Sequence, residues 1–122
     1  MEEKSIKTNR NKIKKERKRL ATLIEDEDDY VKNMLVVTLD NLAYLRVKIE
    51  SLGEHVLLHG VTEEYQNGAN QWGKKMSSEY EAYIQSVKLY IASLKQMKDF
   101  LPKEKKREID ESLMNFINNR PV

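Results

Sequence analysis

The chain has 122 residues, enough for one domain with an arm but too few for two independent cores. Hydrophobic residues make up 39% of it and charged residues 34%, a balance that supports a modest core with long charged helix faces left over. The absence of cysteine excludes disulfides, thiolate zinc sites and cysteine nucleophiles, and no apolar run approaches the roughly 18 residues of a membrane span.

Lys4, Lys7, Arg10 and Lys12 interrupt any signal-peptide core, so a soluble, cytoplasmic protein with no membrane partner is expected. With only two prolines and four glycines, few positions force a helix to stop, and the fold class is expected to be mainly α. The net charge of +2 conceals an asymmetry. Residues 1–20 carry nine Lys/Arg against three Glu, whereas residues 21–29 carry five acids and no base. Positive charge therefore belongs to an N-terminal arm, residues 1–24, and the body is close to neutral.

Within that arm, residues 5–24 read as a helix whose thin apolar stripe is Ile6, Ile13, Leu20 and Ile24. Such a stripe buries too little to hold a helix alone, so it must dock on the body, pair with another chain, or order on a ligand. The acidic run Glu25 to Asp29 suits the start of the next helix, where carboxylates cap free N–H groups and face the positive dipole end. That helix is expected over Tyr30 to Leu52. Val31, Leu35, Thr38, Leu42, Leu45, Ile49 and Leu52 form a coiled-coil-like seam. Gly53 would end it.

Between Glu54 and Lys75 the helical period is lost. Val56-Leu57-Leu58 and Val61 to Tyr65 suggest a short β-hairpin, and Gln66 to Gly73 reads as a polar turn or loop. This insert, residues 54–76, sits at the tip of a hairpin core spanning residues 25–101. Ser78 and Glu81 make a capping box for a second long helix, whose face is Tyr83, Val87, Tyr90, Leu94, Met97 and Leu101, widened by Ile84 and Ile91. It should return antiparallel to the first. Pro102 stops it and opens a short C-terminal helix within residues 102–122, with Ile109, Leu113, Phe116 and Ile117 on one face.

The basic segment is the strongest functional signal. Clustered cations bind nucleic-acid phosphates because each neutralised phosphate releases counterions. Lys12, Lys14, Lys15, Arg17, Lys18 and Arg19 are the candidate DNA contacts, positioning the duplex without reading its bases. A solvated arm, or a helix paired with the adjacent acidic run, is the plainer alternative for the same residues. The Lys14 to Arg19 cluster also has the composition of a nuclear-targeting signal.

Other candidate chemistry is weaker. Five consecutive carboxylates diverge in direction and do not converge on a metal. His55 and His59, between Gly53 and Gly60, look extended and about 13 Å apart, and with neither a third histidine nor a cysteine they do not make a zinc site, even with Glu63 and Glu64 nearby. Neither a nucleophile elbow nor a phosphate-binding loop is present, so no enzyme and no cofactor are expected. Trp72 beside Lys74 and Lys75 is expected to cover the neighbouring core, with base stacking as the alternative. Val36, Val37, Leu39 and Tyr44 on the first long helix, with Tyr80 and Leu89 on the second, extend apolar surface beyond the seams and are the candidate oligomer interface.

Three segments carry a family resemblance: the helix Tyr30–Leu52, the run from Glu64 through Gln66-Asn67-Gly68-Ala69-Asn70-Gln71-Trp72-Gly73 to Lys75, and the helix closing on Lys95-Gln96-Met97-Lys98-Asp99-Phe100-Leu101-Pro102. Together, over residues 30–102, they resemble the P27 family of phage terminase small subunits. Many relatives carry Asn-Pro before the second long helix, where this chain has Met76-Ser77-Ser78. The resemblance implies a non-catalytic ring that binds double-stranded viral DNA in the bacterial host cytoplasm. It also implies a separate terminase large subunit, carrying the ATPase and nuclease, as partner. The residues alone leave two rivals: a helical scaffold that binds only proteins, and a small dimeric DNA-binding regulator.

Overall fold

In a computed structural model that describes residues 2–66, 68–69 and 71–120, four helices surround one core and a two-stranded hairpin projects from one end. Helix α1 spans Glu2–Thr22, α2 Asp29–His59, α3 Ser78–Lys98 and α4 Lys103–Asn119, with strands β1 (Thr62–Gln66) and β2 (Trp72–Met76) between α2 and α3. The long hairpin of α2 and α3 forms the centre, α1 packs on α2, and α4 packs on α3.

Asp28 starts α2, its Oδ1 accepting the Val31 N–H at 2.9 Å, which is the role expected of the acidic run. The helix then passes straight through Gly53 and ends seven residues later, at Gly60, whose N–H bonds to the Val56 carbonyl at 2.8 Å. Glycine inside a helix costs only about 1 kcal/mol. Burying Val56, one step of four beyond Leu52, offsets that cost. At about 1.5 Å per residue, the 31 residues of α2 extend roughly 46 Å.

The lengthened helix corrects the reading of the insert. Val56, Leu57 and Leu58 are helical, and the hairpin starts only at Thr62. Its second strand comes from Trp72 to Met76, partly from a segment whose composition reads as turn. The register pairs Thr62 with Met76, Glu63 with Lys75, Glu64 with Lys74, Tyr65 with Gly73 and Gln66 with Trp72. The exposed Tyr65 ring lies across Gly73, where a Cβ would come within 2.9 Å of it and displace the ring.

Helix α3 is capped one residue earlier than the Ser78 and Glu81 spacing suggests. Ser77 holds extended geometry because its N–H donates to the Val61 carbonyl at 2.9 Å, and its Oγ accepts the Tyr80 N–H at 3.0 Å. The expected seams are otherwise present. Leu35, Leu42 and Ile49 of α2 are buried together with Tyr83, Tyr90, Leu94 and Met97 of α3, and Ile109 and Phe116 of α4 close the same core. Phe116 packs against Tyr90 with ring centroids 4.5 Å apart.

The arm is part of this body. Leu20 and Ile24 are buried in the shared core, with Ile13 packed beside them. Because α1 covers a second side of α2, Leu39 is only 1% exposed and is removed from the candidate oligomer surface. Val36, Val37, Tyr44 and Leu89 are exposed, and Tyr80 is half-buried. Trp72, 66% exposed, does not cover the core.

Candidate nucleic-acid interface

Docking of α1 sorts its basic residues into two sets. The body-facing set is ion-paired. Arg17 Nε donates to Asp40 Oδ1 at 2.6 Å, and Lys12 Nζ lies 3.7 Å from Glu50 Oε1, both acids belonging to α2. Arg19 Nε donates to Glu16 Oε2 at 3.1 Å, and its Nη2 reaches the Ser112 hydroxyl of α4 at 3.4 Å. The hydrogen bond to Glu16 holds the Arg19 guanidinium charged more firmly than usual, against the opposing effect of burial. Three of the six candidate DNA contacts thus hold the arm to the domain, directly or through a neighbour.

The outward set is different. Lys4, Lys7, Asn11, Lys14 and Lys18 step by three and four, and Lys15 follows Asn11 by four, so all six share one face of α1. All six are exposed, and among the described residues none of the five lysines has an ion-pair partner. Of the acids of this helix, Glu2 and Glu16 lie off that face, whereas Glu3, four residues before Lys7, sits at its N-terminal edge. From Lys4 to Lys18 the ridge is about 21 Å long. Sequence reading found Lys14, Lys15 and Lys18 but took Lys4 and Lys7 only as interruptions of an apolar stretch. Helical spacing was the signal that would have joined them.

Behind the ridge, a polar cleft is lined by Glu16, Arg19 and Arg46 together with Glu108, Glu111 and Ser112 of α4. Its three carboxylates face two guanidiniums, so it offers an anion no uncompensated charge. Arg46 lies over the Phe116 ring at 4.8 Å and the Tyr90 ring at 5.9 Å, covering the core edge with its cationic end. Burial pushes the Tyr90 phenol above its ordinary value, with Arg46 pulling the other way.

His55 and His59 are brought together rather than held apart. Both lie in the last turns of α2, where a spacing of four puts their rings 4.4 Å apart. Among the described residues no group of three or more His, Cys, Asp or Glu side chains is arranged to hold a metal ion. Nor is any described helix long and apolar enough to cross a membrane. Comparison of the chain with protein-family models, with curated proteins and with solved structures finds no match.

Proposed function

We propose that this chain is the small, non-catalytic subunit of a phage DNA-packaging terminase. It is an oligomeric adaptor that meets double-stranded DNA through α1 and regulates a separate large subunit carrying the ATPase and nuclease. The observation that carries DNA contact is the ridge of lysines without ion-pair partners among the described residues, Lys4, Lys7, Lys14, Lys15 and Lys18, turned outward on a docked helix. A rigid ridge loses less conformational freedom on binding than a loose arm, and its lysines suit phosphates rather than base edges. The assignment to packaging rests on the resemblance over residues 30–102. Oligomerisation is supported by the exposed Val37, Tyr44 and Leu89.

The test is duplex binding as a function of salt, comparing wild type with a variant in which the five ridge lysines are replaced by glutamine. Each lost phosphate contact lowers the slope of log affinity against log salt by about 0.9. A fall of several units with unchanged helix content supports the ridge. An unchanged slope removes it. The rival reading, an adaptor for proteins only, is favoured by the exposure of Leu57 and Leu58 at the end of α2 and of Trp72 on β2, and predicts no salt-sensitive DNA retention at all.

A further inference from the structure

The hairpin β1–β2 is a sheet of only two strands, so each strand has one edge whose backbone groups have no ladder partner. Isolated two-stranded hairpins are marginal in water, and open edges accept further strands. Neither strand is buried, and Leu58, Val61, Trp72 and Met76 leave apolar surface around the hairpin.

Charge decides what fits this edge. Strand β1 carries Glu63 and Glu64, and β2 carries Lys74 and Lys75. Successive residues point to opposite faces, so each face has one acid on β1 and one base on β2. Within the chain Lys75 Nζ lies 3.4 Å from Glu63 Oε1, while Glu64 stands opposite Lys74 on the other face. The hairpin is thus acidic along one edge and basic along the other.

We propose that the hairpins of successive copies join head to tail, β2 of one chain pairing antiparallel with β1 of the next, to build a continuous sheet between subunits. In the register of the intrachain pair, every junction repeats the Glu–Lys pairing on both faces. A two-fold arrangement, β1 on β1 or β2 on β2, instead sets acids beside acids or lysines beside lysines. The charge pattern therefore selects a heterologous contact, which closes into a ring or runs on as a filament, over an isologous dimer. Five-residue strands bury too little to hold an assembly alone, so the apolar residues around them share the contact. This inference rests on the oligomeric part of the proposed function and specifies its direction.

The chain lacks cysteine, so single thiols report contacts without background. Full-length Glu64→Cys and Lys74→Cys proteins, both substituted at exposed positions, are oxidised separately and as an equal mixture, beside light scattering of the wild type. The expected result is a disulfide between the two variants in the mixture and none in either alone. A Glu64→Cys homodimer as abundant as the mixed product would overturn the head-to-tail order. An intact oligomer with no disulfide in the mixture would remove the hairpin from the interface while leaving oligomerisation standing. A wild type that stays monomeric at all concentrations would overturn both. Charge reversal gives an independent check. The double variant Glu64→Lys/Lys74→Glu keeps opposite charges within its own hairpin and at every junction between like copies. It should therefore reach wild-type mass alone but not co-assemble with wild type, and free co-assembly counts against the pairing.

Discussion

Arg17 on α1 donates to Asp40 on α2 across 2.6 Å, and that contact helps set which side of the arm faces solvent. Both side chains are partly exposed, so the pair contributes less than about 1 kcal/mol. Asp40→Asn should therefore destabilise the fold only slightly in chemical denaturation. It also releases a guanidinium beside the lysine ridge, so the salt slope of DNA binding should steepen by up to about 0.9. A flatter slope would mean that the ion pair positions the ridge rather than withholding a charge from DNA.

Leu20 is the anchor of the arm. It is fully buried, whereas Ile6, earlier on the same stripe, is half exposed. Leu20→Ala should cost about 2–5 kcal/mol, and Ile6→Ala should fall within the ordinary surface range of about 0.5 kcal/mol. Equal effects of the two substitutions on urea midpoint would show that α1 is not docked along its C-terminal half.

The helices were legible because their apolar residues repeat at three and four, a signal strong enough to place α3 and α4 within a few residues. Two features were hidden for physical reasons. Gly53 reads as a stop by its own propensity, yet the helix continues because Val56 buries beyond it. Leu39 reads as surplus apolar surface when only the α2–α3 pair is considered, and becomes core once α1 covers it. The basic cluster was visible as composition. Its division into body-facing and outward cations depends on which side of α1 meets α2, and only the partners Asp40 and Glu50 reveal that.

Gly60 ends α2 with φ +80° and ψ −174°, a region that only glycine enters without strain. A Cβ there would meet nothing within 4 Å, so the cost of Gly60→Ala comes from the backbone alone. A loss of about 1–3 kcal/mol is expected in equilibrium denaturation, with most of the change confined to the hairpin in hydrogen exchange. Retention of full stability would mean that the turn adopts another geometry at little cost.

Tyr90 offers the pH test. Its ring is fully buried, and among the described residues its hydroxyl has no hydrogen-bond partner, although Arg46 lies near enough to oppose the effect of burial on its ionisation. Removing that hydroxyl gives up only a weak interaction with Arg46 while ending the burial of a phenol without a well-formed hydrogen bond. Tyr90→Phe should therefore be neutral or stabilising by about 1 kcal/mol at neutral pH. Burial raises the folded-state pKa above the unfolded value near 10. Below pH 10 both states keep the proton and the phenol contributes no pH dependence. Above it the unfolded chain releases the proton first, so the wild type loses stability until the folded-state pKa is passed. The other tyrosines titrate in both proteins and cancel in the difference. The advantage of the Phe variant should be flat up to about pH 10 and then grow. If it shrinks instead, the charge of Arg46 outweighs burial at this site and the phenol ionises more readily in the folded protein than in the unfolded chain.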